Sequence, residues 1–142
     1  APSNMPQAIQ NYCERTGQEV PQTKGEILRC VYESLAMKYR WTIERLERIL
    51  NRPLKVLHIV GGGTRDKLLN QFTANAINKP VICGPTEATA IGNLMMQAKA
   101  LGEVANLQEI RQVIGASFPT EDYMPQDVEA WDEAYERFLK VI

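Results

Sequence analysis

The sequence has few of the features that mark membrane, secreted or nucleic-acid-binding proteins. No apolar run approaches the roughly 20 residues that a helix needs to cross a bilayer, and no charged start followed by an apolar block indicates a signal peptide. Lysine and arginine number 16 against 17 acidic residues, so the net charge of −1 indicates neither nucleic acid nor an anionic membrane as a partner. These absences favour a cytoplasmic protein.

Histidine and cysteine are also scarce. The chain has one histidine, His58, and three cysteines, Cys13, Cys30 and Cys83, without a CxxC pair. This set predicts no metal site, and a single histidine inside an apolar run offers no Ser/His/Asp constellation. We therefore expect His58 to be a buried, hydrogen-bonded core residue, and a reducing compartment favours free thiols.

The length and composition indicate one globular domain. The chain has 142 residues, of which 44% are apolar and 23% charged, enough to bury a core. It begins Ala1-Pro2 without an initiator methionine, which suits a processed terminus or a piece of a longer protein.

Apolar periodicity predicts several helices and two short strands. Thr23 and Glu26 form a capping box, after which one amphipathic helix of about seven turns reaches Asn51. The apolar runs at 56–60 and 81–83 predict strands, the first buried on both faces. The other predicted helices include 7–15, 68–76 and 106–115. A further helix opens at 86–89 and stops at Gly102. A connector at 119–125 leads to a terminal helix with Val128, Trp131, Tyr135, Phe138 and Leu139 on one side.

The predicted fold class is α/β with an incomplete sheet. Two strands separated by a helix form a right-handed parallel βαβ unit. Two short parallel strands are few for several covering helices, because parallel sheets usually contain more strands. We therefore expect either sequence outside this chain or a second copy to complete the sheet, since its strand edges would otherwise stay unpaired.

The strand at 56–60 runs directly into Gly61, Gly62 and Gly63. Glycine lets a ligand approach the backbone closely, and many α/β proteins hold a phosphate at a glycine turn between strand and helix. The residues fit neither GxxxxGK[ST] nor GxGxxG, so a lysine-bearing P-loop and a dinucleotide fingerprint are not indicated. The triplet lets either a ligand approach the backbone or the helix pack closely against the strand. Asp66 either accepts from a ribose hydroxyl or caps the helix that follows.

Several motifs between residues 56 and 98 occur in a fixed order: the glycine triplet, a leucine-rich helix with Asn70-Gln71, a strand ending in Gly84-Pro85, Glu87-Ala88, and an A-x-GN helix. In this order they resemble the C-terminal domain of the FGGY carbohydrate kinases. Over essentially the whole chain the residues are similar to the rhamnulokinase branch, as in Tyr12-Cys13, Thr16-Gly17-Gln18, Gly25-Glu26-Ile27 and Arg29-Cys30.

This resemblance implies a partial actin-like ATPase domain of the ribonuclease H-like type, with residues 1–142 as part of the second domain beside a nucleotide cleft. ATP and Mg²⁺ would be the cofactors, a ketose sugar the substrate, and an upstream N-terminal domain the partner. Gly61, Gly62 and Gly63 would lie against the adenosine and α-phosphate, with Gly62 making the backbone contact. Asp66 stands where relatives often carry Asn or Ser, and its charge disfavours a phosphate contact.

The resemblance further implies that Cys13 and Cys30 can form a disulfide, contrary to the expectation from the compartment. The family's catalytic Asp lies upstream of these residues, so we expect this polypeptide alone to have no kinase activity. The alternatives are a C-terminal domain of another FGGY kinase, of the xylulose, fuculose or glycerol type, a stand-alone non-catalytic nucleotide-binding module, and a self-associating fragment.

Overall fold

The computed structural model describes residues 2–142. The chain order alternates helices with short strands. The elements are α1 (Met5–Arg15), α2 (Lys24–Leu50), β1 (Leu57–Ile59), a 3-10 helix (Gly61–Arg65), α3 (Lys67–Ile77), β2 (Val81–Cys83), α4 (Ala88–Ala100), α5 (Leu107–Ser117), β3 (Glu121–Tyr123) and α6 (Val128–Phe138). No helix in residues 2–142 is long and apolar enough to cross a membrane.

The long helix α2 has the ends that its sequence predicts. The Thr23 hydroxyl accepts from the Glu26 amide at 3.2 Å, and the Glu26 carboxylate accepts from the Thr23 amide at 3.0 Å. These two bonds satisfy amide groups that have no partner within the helix. The helix stops at Asn51, which takes the left-handed conformation with φ of 50°. The predicted capping box is therefore confirmed.

The sheet has three strands in the order β1-β2-β3. β1 and β2 are parallel, with Leu57 opposite Val81, as the βαβ pattern predicts. β3 is antiparallel to β2, with Tyr123 opposite Val81. The prediction of residues 119–125 as a connector was wrong, because this short strand contains two carboxylates and has no apolar run to reveal it.

Strand β1 is covered on one side only. Leu57 and Ile59 pack against the buried cluster that contains Val81, whereas His58 is exposed. The predictions that β1 is buried on both faces and that His58 is a core residue were therefore wrong. Successive strand residues point to opposite faces, and none of the elements in residues 2–142 covers the face that carries His58.

The described residues 2–142 form a main core and a separate satellite core. The main core consists of two clusters built around α2, α3, α6 and the sheet. The satellite core lies between α4 and α5 and contains Ile91, Met95, Val104 and Ile110. The buried residues of the main core are Ala36, Met37, Ile43, Ala74, Ala76, Ile77, Val81, Cys83, Trp131 and Tyr135.

Helix α5 passes through the residue that was predicted to end it. Gly115 lies within the helix, which continues to Ser117. A glycine inside a helix costs only about 1 kcal/mol relative to alanine, so it does not have to end the helix. Gly102, in contrast, follows α4 with φ of 83°, the conformation that favours a glycine at a helix end.

Candidate functional site

Two loops meet where the parallel strands β1 and β2 end. The first is the 3-10 helix Gly61–Arg65, called here the glycine turn, and the second comprises residues 84–87. The Gly84 amide donates to the Ile59 carbonyl at 2.8 Å, and the Gly61 amide donates to the Pro85 carbonyl at 3.1 Å. The carboxyl ends of parallel strands are the usual ligand-binding edge of an α/β sheet.

Side chains also join the two loops. The Thr64 hydroxyl lies 2.8 Å from the Thr86 hydroxyl and 2.8 Å from the Gly61 carbonyl. Arg65 and Glu87 form an exposed ion pair at 3.5 Å, in which both side chains are more than 70% accessible. Thr86 thus joins the two loops, and the Glu87 side chain makes no cap hydrogen bond to α4.

The three glycines of the turn differ in what requires them. Gly61 has a φ of 77°, a backbone angle that residues other than glycine rarely adopt. A Cβ atom on Gly63 would lie 3.4 Å from the Ile59 side chain, which is an ordinary van der Waals contact. A Cβ atom on Gly62 would meet nothing within 4 Å, and Gly62 is exposed. The protein around Gly62 therefore gives no reason for a glycine there.

Both carboxylate oxygens of Asp66 have partners in the protein. Oδ1 accepts from the Leu69 amide at 3.1 Å and caps α3, and Oδ2 accepts from the Tyr32 hydroxyl at 2.7 Å. The hydrogen bond to the carboxylate raises the pKa of Tyr32. The cap interpretation of Asp66 is thereby confirmed, and the contact with Tyr32 ties the start of α3 to α2.

The sequence interpretation missed Asn70 at this site. Its side chain is 1% exposed, and its Nδ2 atom lies 3.3 Å from the Gly63 carbonyl and 3.2 Å from the Thr64 carbonyl. One signal in the sequence was available, because Asn70 is a polar residue between the apolar Leu69 and Phe72 on one helix. Such residues are buried only when their hydrogen bonds are satisfied.

A second group of polar residues links the edge strand β3 to α3. The Glu121 carboxylate accepts from the Lys67 ammonium at 2.8 Å and from the Tyr123 hydroxyl at 2.7 Å. These bonds lower the pKa of Glu121. Burial, followed by the bond to the carboxylate, raises the pKa of Tyr123 to about 12. These groups fasten the polar strand β3 beside α3, close to Asn70.

The two cysteines considered for a disulfide are neighbours as free thiols. Cys13 on α1 is buried and Cys30 on α2 is half-buried. Burial raises the pKa of the Cys30 thiol, and the adjacent Cys13 thiol raises it further. Cys83 is a buried free thiol on β2, and burial raises its pKa as well.

Residues 2–142 contain no group of three or more His, Cys, Asp or Glu side chains that could hold a metal ion. A surface depression lies at the end of α2, beside the residues that lead into β1, and Glu47, Arg48 and Arg52 contribute to its lining. The Glu47 carboxylate accepts there from the Leu54 amide and pairs with the Lys79 ammonium. This depression has a structural explanation, and the glycine turn remains the candidate site.

The profile of the FGGY family of carbohydrate kinases, C-terminal domain, matches residues 1–101. The chain belongs to this family. It is 53% identical over 141 residues to a rhamnulokinase of Bacteroides thetaiotaomicron and 46% identical over 128 residues to a rhamnulokinase of Bacillus subtilis. These matches cover 99% and 90% of the chain, but only 29% and 26% of the two relatives.

Solved structures of FGGY sugar kinases share the fold. A xylulose kinase from Rhodospirillum rubrum superposes with a TM-score of 0.67 over 88% of this chain and 25% of its own, at 23% identity. A gluconate kinase from Lactobacillus acidophilus superposes with a TM-score of 0.65 over 84% of this chain and 24% of its own, at 18% identity. The expected α/β actin-like class with an incomplete sheet is confirmed.

Proposed function

We propose that residues 1–142 form a segment of the second actin-like domain of a sugar kinase, on the nucleotide side of its cleft. The whole enzyme would transfer the γ-phosphate of ATP to L-rhamnulose, giving ADP and L-rhamnulose 1-phosphate. The identities of 53% and 46% to two rhamnulokinases support this substrate over other ketoses and polyols. The chain supplies only part of such an enzyme, so most contacts to the sugar would come from elsewhere.

The observation that carries this proposal is the open backbone at Gly62. Gly61 has a reason within the protein to be glycine, which is its backbone angle, and an added Cβ on Gly63 would touch the Ile59 side chain. Gly62 has neither reason, because an added Cβ meets nothing within 4 Å. A ligand lying against the turn supplies the missing reason, since only a bare backbone lets it approach closely. The adenosine and α-phosphate of ATP are the proposed ligand groups.

Phosphoryl transfer depends chiefly on positioning and charge neutralisation, and this chain contributes positioning. Mg²⁺, when bound with ATP, neutralises charge on the phosphates. The described residues offer no carboxylate set for it, so its ligands would be the phosphates and residues outside 1–142. Asp66 is occupied by Tyr32 and Leu69, which supports a role in shaping the turn rather than in contacting phosphate. The general base is expected in the part of the enzyme that precedes this segment.

The test is the substitution Gly62→Val in the full-length enzyme. We expect the KM for ATP to rise about tenfold or more, which corresponds to 1.4 kcal/mol or more of lost binding, while the KM for the sugar stays unchanged. Gly115→Val is the matched control, because an added Cβ at Gly115 also meets nothing within 4 Å. An unchanged KM for ATP in the Gly62 variant would refute the proposed site.

Calorimetry separates the alternative of a stand-alone binding module. If the 142-residue chain binds ATP while the full-length protein phosphorylates no ketose or polyol, the chain is a non-catalytic nucleotide-binding module. Kinase activity in the 142-residue chain itself would contradict a general base outside it.

We also propose that Cys13 and Cys30 form a disulfide under oxidising conditions. The Cys13 thiol lies close enough to Cys30 to raise the pKa of the Cys30 thiol, which supports the pairing. A bridge would tie α1 to α2. Thiol counting on the denatured, unreduced protein tests this proposal: one free cysteine per chain agrees with the bridge, and three contradict it.

A further inference from the structure

We propose that Asn70 is a positioning residue for the glycine turn: its buried amide holds the carbonyl groups of the turn away from the side on which the nucleotide lies. The inference rests on the proposed nucleotide-binding function and extends it to a residue that does not itself touch the ligand. The hydroxyl pair Thr64–Thr86 holds the same turn at a second point.

Asn70 is a buried polar residue, and its burial depends on the hydrogen bonds of its side chain. Its side chain is 1% exposed, and burying an amide without partners is costly. Nδ2 donates to the Gly63 carbonyl at 3.3 Å and to the Thr64 carbonyl at 3.2 Å. An amide nitrogen carries two hydrogens, so one asparagine serves both carbonyls at once.

The hydrogen bonds of the Thr64 and Thr86 hydroxyls, which fix the turn at its second point, each have a defined donor and acceptor. A carbonyl can only accept, so the Thr64 hydroxyl donates its single hydrogen to the Gly61 carbonyl. The Thr86 hydroxyl must then be the donor in its 2.8 Å contact with Thr64. The 84–87 loop therefore fixes the first carbonyl of the turn through Thr64, while α3 fixes two later ones through Asn70.

Together these bonds orient three carbonyl groups of the turn. The carbonyl oxygens of Gly61, Gly63 and Thr64 all face donors inside the protein. A carbonyl oxygen carries partial negative charge, so a carbonyl turned outward would repel the oxygens of a phosphate at close range. With the carbonyls held inward, the backbone at Gly62 is left open to an anionic ligand.

Asn75 on the same helix provides a matched comparison. It is 5% exposed, and its Oδ1 accepts from the Gln71 side chain at 2.7 Å and from the Gln126 amide at 2.9 Å. These bonds hold the connection between β3 and α6 and do not reach the glycine turn. Asn70→Leu and Asn75→Leu thus remove the same buried amide from one helix, and only the first releases the turn.

The experiment measures steady-state kinetics and melting of the full-length enzyme with each variant. We expect Asn70→Leu to raise the KM for ATP about tenfold, with the KM for the sugar unchanged at saturating ATP. Asn75→Leu lowers the melting temperature but leaves the KM for ATP unchanged. Thr64→Val raises the KM for ATP about fivefold through the loss of both hydrogen bonds of its hydroxyl, and Thr64→Ser, which keeps the hydroxyl, restores the KM.

The outcomes separate this inference from the proposed function. If Gly62→Val raises the KM for ATP while Asn70→Leu and Thr64→Val do not, the positioning role is wrong and the nucleotide site stands. If Gly62→Val has no effect, the nucleotide site itself is wrong. If Asn70→Leu does not fold, the Thr64→Val and Thr64→Ser pair decides: equal KM values for ATP overturn the inference, and the expected difference supports it.

Discussion

The main core and the satellite core differ in how deeply their innermost residues are buried. In the main core, Ala36, Ala74 and Ala76 are 0% exposed, and these small residues let α2, α3 and their neighbours pack tightly. The four buried residues of the satellite core are 6–9% exposed, and Leu101 at the end of α4 is 80% exposed. The glycine turn precedes α3 in the chain and is fastened to it by Asn70, so it is mounted on the more tightly packed region.

This difference indicates that the two regions have unequal local stability. Segments with few buried apolar contacts open at lower free energy than the core of the same molecule. The α4–α5 pair has one small cluster and follows the 84–87 loop. Helices α2, α3 and α6 share a cluster in which Phe72 of α3 contacts Trp131 of α6, with 5.1 Å between the ring centroids. We therefore expect substitutions in the main core to affect the whole molecule and those in the satellite core to act locally.

The largest expected effect comes from Trp131→Ala in the main core. Trp131 is 9% exposed and packs edge-on against Phe72. Removing a buried tryptophan side chain leaves a cavity and lowers the free energy of unfolding by about 3–5 kcal/mol. Urea unfolding followed by circular dichroism measures the loss. A change below about 1 kcal/mol would mean that α6 does not stabilise the main core.

A matched isoleucine pair tests the comparison directly. Ile77 in the main core and Ile110 in the satellite core are 5% and 6% exposed, so each loses a similar buried side chain on substitution by alanine. We expect each change to cost about 2 kcal/mol. Amide hydrogen exchange distinguishes them: Ile77→Ala lowers protection throughout the chain, whereas Ile110→Ala lowers it in α4 and α5. Uniform loss in both variants would show that the two regions unfold as one.

The smallest expected effect is the pH-dependent contribution of Glu47 at the end of α2. Its carboxylate accepts from the Leu54 amide at 2.7 Å and from the Lys79 ammonium at 3.2 Å, which lowers the pKa of Glu47. Because the folded pKa is lowered, this contribution is present above the ordinary pKa of 4.5 and is lost as the pH falls through the folded value. Glu47→Gln should cost about 1 kcal/mol at pH 7, and the cost should disappear in acid.

Glu33→Gln is the control for that measurement. Glu33 pairs with Arg29 on the same helix, but the side chains are 40% and 68% exposed, so the pair should contribute less than about 0.5 kcal/mol. Equal and pH-independent losses for both variants would contradict the role assigned to Glu47.

Local features were predictable from the sequence where they depend on neighbouring residues. The capping box of Thr23 and Glu26, the helix cap at Asp66 and the strand at 81–83 all follow from residues within a few positions of each other. Features that depend on distant partners were not predictable. β3 exists because β2 lies beside it, and His58 is exposed because the structure in residues 2–142 leaves its face uncovered.

The candidate site shows the same division. The glycine triplet stands out in the sequence, but the letters alone do not distinguish the three residues. Their separation into a backbone requirement at Gly61, a side-chain contact at Gly63 and an open position at Gly62 depends on the three-dimensional positions of Ile59 and of the turn. Asn70 was missed because its partners are backbone carbonyls, which no side-chain motif encodes.

The bonds between the glycine turn and the 84–87 loop have a consequence for motion. One backbone hydrogen bond and one hydroxyl pair join the two loops, and a second backbone hydrogen bond joins Gly84 to Ile59 at the end of β1. Loops that are cross-linked in this way move together, so a domain closure in the proposed kinase would turn them about a hinge placed elsewhere. The proposed nucleotide ligand would then meet a surface whose shape is already set.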